Sequence, residues 1–301
     1  MTPSSDTIRS HRTSLLMMLG SAACFIANVL LIRALAQMES VSLWVVTSTR
    51  FIVGLIIVMT IYRREFQPKN LFTNRKLIER GLLGGVCTLG FYYTITKLGA
   101  GRATFINNTY VIWGALFAVL ALRERLRPVL LFGAAATLLG LGLLTTPFSG
   151  GASPTGFFDL VALLNAFAAA WIIVTIRQLH TSEHSSTIFA AQCVFGGLLC
   201  IGPALVDLSA LTPLAGLFLL LASACASAGQ LLMTQAFRDL SVAEGSLLQM
   251  LVPLGIALGG VFFFQEHFTS IEMIGGALIL AGTATSSLRS AGTHAVSAKS
   301  S

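Results

Sequence analysis

The two halves of the sequence repeat each other at an offset of 142 positions. Pairs related by this offset include Leu122–Leu126 with Phe264–Phe268, Gly133 with Gly275, Gly140 with Gly282, and Asn107 with Gln249. Each half is expected to hold five membrane spans, and an odd number makes the second copy enter the membrane from the opposite side. Inverted repeats of this kind are the architecture of secondary transporters, whose halves meet at a site near the bilayer midplane.

Long apolar runs account for most of the 301 residues. Hydrophobic residues make up 55% of the chain and charged residues only 10%, and several charge-free runs reach the roughly 20 residues that cross about 30 Å of hydrocarbon. Because the runs are continuous rather than alternating, they favour helices over the strands of a membrane β-barrel. The predicted fold is all-α and polytopic, with ten transmembrane helices at residues 13–35, 41–62, 78–97, 103–122, 128–146, 158–177, 185–205, 212–237, 242–264 and 270–288.

Basic residues fix the expected orientation of these spans. If the N-terminus is cytoplasmic, fifteen Lys and Arg residues, among them Arg80, fall in cytoplasmic segments. Only Arg33, Lys97 and Arg102 fall outside. Cytoplasmic loops carry such an excess of positive charge, so both termini are predicted to be cytoplasmic. This asymmetry also explains the net charge of +7, and nucleic acid is not an expected partner.

Four segments make up the predicted domain organisation. Residues 1–146 form the N-terminal five-helix repeat, residues 147–157 an extracytoplasmic linker, and residues 158–288 the inverted C-terminal repeat. Residues 289–301 are rich in Ser and Ala and are expected to be a disordered cytoplasmic tail. Small-residue faces such as Gly81-xxx-Gly85 allow helices to pack closely within one chain or between two. The chain is therefore expected to be a monomer or a homodimer.

A short motif ends the fourth span of each repeat, and a Gly-rich span follows it. The motif is Arg123-Glu124-Arg125-Leu126 in the first half and Gln265-Glu266-His267-Phe268 in the second. Together with ten inverted spans, it resembles the drug/metabolite transporter superfamily, and within it the EamA-type permeases, over about residues 13–288. Arg50-Phe51 and Pro253 also fit that pattern, whereas the first half has Val111 at the position equivalent to Pro253. The resemblance implies a bacterial inner-membrane permease that exports amino acids or other small metabolites.

Arg50 is a charged residue within a predicted span. It lies near the middle of the second span, where burying a charge costs roughly 2.5–3.5 kcal/mol on insertion scales. One interpretation is a counter-charge for a carboxylate on the substrate. The other is a structural brace that donates hydrogen bonds to the backbone of a neighbouring helix, or a side chain that extends toward the outer face.

Polar residues at equivalent positions of the two repeats predict a central substrate pocket. Amides in hydrocarbon need partners or water, and polar side chains that recur at helical spacing share one face of a helix. These faces are expected to point inward, with hydrogen bonding between helices as the alternative. Three pairs are related by the offset of 142: Asn107 with Gln249, Tyr93 with Gln235, and Thr88 with Gln230.

Aromatic residues complete the predicted pocket. Asn165 of the sixth span also corresponds to Ser21 of the first span and is a further polar candidate. Trp and Tyr anchor proteins at membrane interfaces as well, so stacking on a substrate is one of two roles for the aromatic candidates, which are Tyr92, Tyr110, Trp113 and Trp171.

Four further residues are expected to have structural or gating roles: Glu124, Glu266, Pro253 and Glu244. Glu124 and Glu266 carry the repeated motif but lie at span ends, where the dipole of the next helix favours a carboxylate. Pro253 can let the ninth span bend or can serve helix packing. Glu244 is the best candidate for proton coupling, and facilitated diffusion or exchange is at least as strong an alternative.

Neither an enzymatic site nor a channel is predicted. The sequence has no paired carboxylates, His cluster or activated nucleophile at membrane depth, and nothing indicates the charged ring or filter loop of a channel. The segment His180–His184 fits a zinc-binding pattern, but it occupies a short connector instead of the helix that such a site needs. Neither a metal nor a cofactor is therefore expected.

The predicted function is secondary transport of a small molecule by alternating access, with lipid as the surrounding partner. Amides, hydroxyls, aromatic rings and one arginine suit an amino acid or a similar zwitterion, exported across the inner membrane. Export of sugars or drug-like organic molecules is the alternative, and a membrane-embedded enzyme is a more remote one.

Overall fold

The computed structural model describes residues 5–98, 100–123, 128–145, 156–207, 211–265 and 269–297, and all regular secondary structure in these segments is α-helical. The first half contains α1 (Ser5–Met38), α2 (Leu43–Ile61), α3 (Pro68–Thr73), α4 (Arg75–Leu98), α5 (Ala100–Asn108), α6 (Tyr110–Leu122) and α7 (Pro128–Thr145). The second half contains α8 (Phe157–Leu179), α9 (Ser185–Val206), α10 (Pro213–Ala236), α11 (Val242–Gln249), α12 (Leu251–Phe264) and α13 (Ser270–Ser297).

Eight helical stretches in the described part of the chain are long and apolar enough to cross a membrane. Two of them, Arg102–Leu122 and Val242–Phe264, each consist of two consecutive helices. The other two predicted spans correspond to α4, which carries several charges, and to the start of α13, where the apolar stretch is Ser270–Thr283. The backbone of α13 is helical as far as Ser297, beyond the predicted end of the last span.

Glycine contacts between α7 and α13 show a twofold relation between the repeats. A Cβ added at Gly140 would lie 2.5 Å from the carbonyl oxygen of Gly275, and one added at Gly275 would lie 2.6 Å from that of Gly140. Gly133 and Gly282 approach each other in the same way, at 2.8 and 2.7 Å. Since Gly133 is equivalent to Gly275, and Gly140 to Gly282, exchanging the halves maps each contact onto the other. The two helices run antiparallel, with backbones close enough to require glycine.

The same relation holds where α2 crosses α9. A Cβ added at Gly54 would lie 2.8 Å from both Phe189 and Cys193. At the equivalent Gly196, a Cβ would lie 2.8 Å from the ring of Phe51. Phe51 and Phe189 belong to the largest buried apolar cluster. The apolar core and the twofold relation therefore coincide at this crossing.

The fourth span of each repeat is broken at its polar residue. In the second half, α11 ends at Gln249 and α12 begins at Leu251. Pro253 explains this break, because its nitrogen has no hydrogen to donate to the carbonyl of Gln249 and its ring would clash with that carbonyl. The ninth span is thus interrupted three residues before the proline, at the position of a predicted substrate-binding residue.

The equivalent break in the first half has a different local cause. Asn108 Nδ2 donates to the carbonyl of Thr104 at 2.8 Å, and Thr109 Oγ1 donates to that of Ile106 at 2.7 Å. Side chains that bond to the local backbone in this way compete with the helical ladder. Both broken spans then end at residues with positive φ, Arg123 at 55° and Gln265 at 56°, which are again separated by 142 positions.

The molecule has two ends, which are named after a residue in the first turn of each broken span, Arg102 in α5 and Glu244 in α11. The Arg102 end contains the start of α5 and the start of α8. The Glu244 end contains the start of α11 and the start of α1. α1 packs antiparallel to α10, since Asn28 donates to the carbonyl of Ala222 at 2.9 Å and Ser10 donates to Asp239 at 2.8 Å. The start of α1 therefore lies beside the end of α10, at the Glu244 end.

Candidate functional site

A chain of polar contacts links the broken span and α4 of the first half to helices of the second half, at the depth of the helix break. Asn165 Nδ2 on α8 donates to Asn107 Oδ1 on α5 at 2.8 Å. The Cys87 thiol on α4 lies 3.9 Å from the carbonyl oxygen of Asn165. Gln192 Nε2 on α9 lies 3.5 Å from Thr88 Oγ1 on α4, at the long limit of a hydrogen bond. Four helices are thereby joined by polar groups.

An equivalent chain links the broken span and α10 of the second half to helices of the first half. Gln249 Nε2 on α11 donates to Ser21 Oγ on α1 at 2.9 Å, and Ser21 Oγ donates to the carbonyl of Gly229 on α10 at 2.7 Å. Arg50 Nη2 on α2 lies 3.4 Å from Gln230 Oε1 on α10. These contacts repeat those of the first half position by position.

The two chains together form the polar belt. The belt consists of Asn107, Asn165, Thr88 and Gln192 in one chain, and of Gln249, Ser21, Gln230 and Arg50 in the other. All pairs are separated by 142 positions except Asn165 and Ser21, which are separated by 144. The structure therefore brings five of the predicted substrate-binding residues into one belt: Asn107, Gln249, Thr88, Gln230 and Arg50.

Gln192 is a member of the belt that the sequence analysis missed. It stands at the position equivalent to Arg50, so adding 142 to the number of the intramembrane arginine would have found it. Gln192 is buried, and its amide nitrogen also lies 3.3 Å from the carbonyl oxygen of Gly84. One repeat therefore places a guanidinium at this point of the belt, and the other places an amide.

Arg80 brings a second guanidinium to the belt. The sequence analysis counted it among the cytoplasmic cations, but its side chain is only 1% exposed. Nη2 donates to Gln192 Oε1 at 2.9 Å, and Nη1 lies where a Cβ at Gly84 would collide with it. A rise of 1.5 Å per residue places Gly84 about 14 Å along α4 from Arg75. The charge therefore lies inside the bundle.

The environment of Arg80 leaves its charge unbalanced. Within the described residues, Nε and Nη1 have no hydrogen-bond partner. The neighbouring acid, Glu79, accepts a hydrogen bond from Trp171 Nε1 at 2.6 Å instead. A hydrogen bond to a charged group contributes about 1.5–3 kcal/mol, whereas taking an ion out of water costs several kcal/mol. The single bond to Gln192 does not offset that cost.

An ion pair closes the Arg102 end. Arg102 Nε lies 2.8 Å from Asp159 Oδ1, and Nη2 donates to Asp159 Oδ2 at 3.0 Å. Both side chains are largely buried. The pair links α5 of one repeat to the start of α8 of the other through one charge-assisted hydrogen bond from Nη2 and a close contact between Nε and Oδ1.

A different ion pair lies at the equivalent place on the Glu244 end. Glu244 is related to Arg102 by the offset of 142, and its two carboxylate oxygens each lie 3.3 Å from His11 Nε2. Glu244 is buried and begins α11, whereas His11 lies on α1. A single ring nitrogen thus replaces the guanidinium fork. His11 and Asp159 were not among the predicted site residues, although the offset identifies Arg102 as the partner position of Glu244.

A cavity of about 410 Å³ lies at the Glu244 end. Gln235, a predicted substrate-binding residue, is in its wall and lies 3.4 Å from the hydroxyl of Tyr62. Ser14 donates to Asp239 in the same wall at 2.7 Å. The full lining is Ser10, Thr13, Ser14, Met17, His184, Ser185, Gln235, Arg238 and Asp239. Gln235 therefore lies toward one end of the molecule and not in the polar belt.

The predicted aromatic residues occupy several places. Trp113 and Trp171 belong to a ladder between α6 and α8 in which Phe117 contacts Phe167 and Trp171 at ring distances of 4.6 and 5.6 Å. Such edge-to-face pairs stabilise helix packing. Tyr110 follows the break at Thr109 and packs against two apolar clusters.

The remaining predicted residues lie away from the belt or outside the described chain. Tyr93 is 44% exposed and lies 5.9 Å from the ring of Phe158, close to the Arg102 end. Tyr92 contacts Phe91 at 6.2 Å. Pro253 lies in α12, as described above. Glu124 and Glu266 fall outside the residues that the structure describes.

Two related helical halves, a broken span in each and polar groups at the breaks define a membrane transporter of the inverted-repeat class. Comparison with known proteins agrees: the EamA-like transporter family matches residues 12–146 and again residues 156–288. The chain therefore belongs to the EamA-like transporter family, within the drug/metabolite transporter superfamily. It is a multi-pass membrane transporter and not an enzyme.

Relatives of this chain are also transporters. The pseudopaline exporter CntI of Pseudomonas aeruginosa, from two strains, is 27% identical over 205 residues, which cover 68% of this chain and 72% of the relative. An uncharacterized transporter of Helicobacter pylori is 26% identical over 117 residues, 39% of each chain. One solved crystal structure matches with a TM-score of 0.72 at 19% identity over 91% of this chain and 98% of that chain, which supports the fold.

Proposed function

We propose that this protein exports an amino acid or a similar zwitterion across the bacterial inner membrane by alternating access. The observation that carries the proposal is the polar belt, because it joins the broken span of each repeat to the helices of the other repeat. Asn165 on α8 meets Asn107 on α5, and Ser21 on α1 meets Gln249 on α11. Movement of one repeat against the other would rearrange these contacts, with the substrate's polar groups taking their place.

The two ion pairs suit the gating steps of this mechanism. The Arg102 pair (Arg102 with Asp159) and the Glu244 pair (His11 with Glu244) each join a broken span to the first helix of the opposite repeat. In the proposed cycle, one pair separates while the other holds. Substrate bound at the belt would then reach only one side of the membrane at a time.

Ten spans with both termini in the cytoplasm complete the proposal. The distribution of Lys and Arg, fourteen to three without the buried Arg80, supports this orientation, which makes the Glu244 end cytoplasmic and its cavity the route of entry. The repeat boundaries at residues 1–146 and 158–288 remain part of the proposal. Export is supported by the similarity to a bacterial exporter. A C-terminal tag that is cleaved by protease in inverted membrane vesicles, but not in intact spheroplasts, is the expected result for this topology.

Counterflow in proteoliposomes tests the proposed function. Vesicles that contain the purified protein are preloaded with a pool of amino acids, and labelled amino acids are added outside one at a time. A carrier accumulates label against its gradient because exchange is faster than net loss. We expect accumulation of at least one amino acid. If none accumulates while sugars, nucleosides or organic cations do, the amino-acid assignment is wrong and the carrier remains.

A matched pair of amide substitutions tests the site. Asn107→Ala with Gln249→Ala removes the amides at both helix breaks and is expected to abolish accumulation. The control is Asn70→Ala with Gln67→Ala, an amide pair in contact at 2.8 Å outside the belt, and it should transport normally. Equal activity of both double variants would contradict the assignment of the belt as the binding site.

A further inference from the structure

We infer that Arg80 is the residue that binds a carboxylate group of the substrate, with Gln192 holding its guanidinium in place. The inference rests on the proposed function and specifies the chemical group that the site recognises. It extends the site to a residue that neither the repeat pattern nor the predicted pocket includes.

Arg80 has hydrogen-bond donors that are not used in the described structure. A guanidinium has five N–H donors in a fixed fork that matches a carboxylate. Only Nη2 is engaged, by Gln192 Oε1 at 2.9 Å, while Nε and Nη1 are buried without a hydrogen-bond partner in the described part of the chain. Buried polar groups in proteins are almost always satisfied. Nε–H and the Nη1 protons face different edges of the guanidinium, so a ligand carboxylate would accept a hydrogen bond from one of these atoms together with the remaining proton of Nη2.

The absence of a side chain at Gly84 leaves room for the guanidinium of Arg80. Gly84 lies one turn after Arg80, and a Cβ there would collide with Nη1. Gln192 is itself held by Gly84 and Thr88, at 3.3 and 3.5 Å. At the equivalent positions of the second repeat, Ala222 replaces Arg80. The positive charge of Arg80 therefore occurs in the first half alone. This asymmetry suits a substrate that has a carboxylate at one end.

The belt also carries a local excess of positive charge. Arg80 Nη2 donates to Gln192, and Arg50, which is only partly buried, makes one long contact with Gln230 at 3.4 Å. Both acceptors are uncharged amides. A carboxylate bound to Arg80 by direct contact would offset part of this positive charge.

Anion-dependent thermal stability of the purified full-length protein in detergent tests this inference. The probes are succinate, L-aspartate and L-glutamate, matched with succinamide, L-asparagine and L-glutamine. A ligand that binds only the folded state raises the melting temperature by mass action. We expect more stabilisation by at least one carboxylate than by its amide. Inorganic phosphate is a further arm, and stabilisation by phosphate alone would overturn the carboxylate assignment.

Substitutions at Arg80 distinguish a role in carboxylate binding from a role in stabilising the helix bundle. Arg80→Met removes a charge that has no counter-ion in the resting protein, so the unliganded protein is expected to melt at the same or a higher temperature, without the carboxylate effect. Arg80→Lys keeps the charge but loses the fork and should raise the half-saturating carboxylate concentration about tenfold or more. Arg64→Met, which removes an exposed cation, is the control and should respond as the wild type does.

The outcomes distinguish this inference from the proposed function. A carboxylate effect that persists in both Arg80 variants would overturn the inference, as would its absence from the wild type. The same holds if Arg80→Met lowers the melting temperature of the unliganded protein and Arg80→Lys binds carboxylates normally, because Arg80 would then be a brace. Counterflow of amino acids in any of these cases would leave the carrier intact. A carboxylate effect without counterflow would keep the binding site and contradict transport.

Discussion

The Arg102 end and the Glu244 end are built from equivalent positions but differ in chemistry. The Arg102 pair joins a guanidinium to a carboxylate through two contacts, at 2.8 and 3.0 Å. The Glu244 pair joins a carboxylate to one imidazole nitrogen at 3.3 Å, next to a cavity of about 410 Å³. The repeat thus keeps the position of one member of each pair, Arg102 or Glu244, whereas Asp159 and His11 are 148 positions apart and differ in chemistry. In the proposed cycle, the two ends are expected to open with unequal ease.

Loss of the Arg102 pair should have the largest effect. Arg102→Ala leaves the largely buried Asp159 without its guanidinium, and breaking a buried pair costs about 3–5 kcal/mol. We expect a lower melting temperature and loss of counterflow. In the charge exchange Arg102→Asp with Asp159→Arg, part of both should return, whereas Arg102→Asp alone should be at least as damaging as Arg102→Ala. Failure of the exchange to restore any stability would argue against a direct pair.

Removal of His11 should cost less, because a single ring nitrogen makes both contacts of the Glu244 pair and each is longer, at 3.3 Å. His11→Ala is expected to lower stability by about 1–2 kcal/mol, the scale of a single lost polar interaction. A double-mutant cycle with Glu244→Ala measures the coupling energy directly. The corresponding cycle for Arg102 and Asp159 should give a larger value. Equal coupling energies would contradict the proposed difference in strength between the Arg102 pair and the Glu244 pair.

The helix breaks that position the two pairs provide a smaller test. Pro253→Ala restores a backbone donor and removes the clash that ends α11 at Gln249. A more continuous span would shift Glu244 relative to His11, so we expect transport to fall several-fold with a stability change of about 1 kcal/mol or less. Val111→Ala at the equivalent position is the control and should transport normally. Unchanged transport in the Pro253 variant would show that this break has no role in the cycle.

Acid should destabilise the Glu244 end slightly through His180, which lies in the connector after α8. Burial lowers the pKa of His180 by more than its contact with the carbonyl oxygen of Thr234, at 2.7 Å, raises it. The folded protein therefore favours the neutral ring. Its contribution is present above the ordinary histidine pKa of about 6.5 and is lost as the pH falls, by at most about 1.4 kcal/mol per pH unit.

The matched variant for this prediction is His180→Asn, which keeps a hydrogen-bond donor but does not titrate. Melting temperatures are compared between about pH 7.5 and about pH 5.5, on either side of the ordinary histidine value. The variant is expected to lose less stability on acidification than the wild type. An equal loss would mean that the acid sensitivity arises from other groups, and not from His11, whose pKa is raised by its contact with Glu244.

The offset of 142 predicted a large part of this architecture from the sequence. It identified the equivalence of Asn107 with Gln249 and of Thr88 with Gln230, which occupy matching places in the belt. The helix breaks were harder to predict, because apolar runs on both sides of Thr109 and Met250 look like continuous spans. Pro253 supplied a signal for only one of them.

Arg80 was assigned to the wrong environment for a physical reason. Its backbone lies near the start of α4, where basic residues usually extend toward the cytoplasm. The long arginine side chain extends along α4 in the opposite direction and carries its charge to the level of Gly84. Sequence position specifies where the backbone enters the membrane, but not which way a flexible side chain turns. Packing against Gln192 determines that direction.

Cross-linking each end in turn tests alternating access most directly. The native cysteines, none of them in a disulfide, are first replaced by serine or alanine. Cysteine pairs are then introduced by Arg102→Cys with Asp159→Cys, or by His11→Cys with Glu244→Cys, and are joined by a reducible bifunctional thiol reagent. We predict that cross-linking either end alone stops counterflow and that reduction restores part of it relative to the same uncross-linked variant. Full counterflow with one end locked would contradict alternating opening of the two ends.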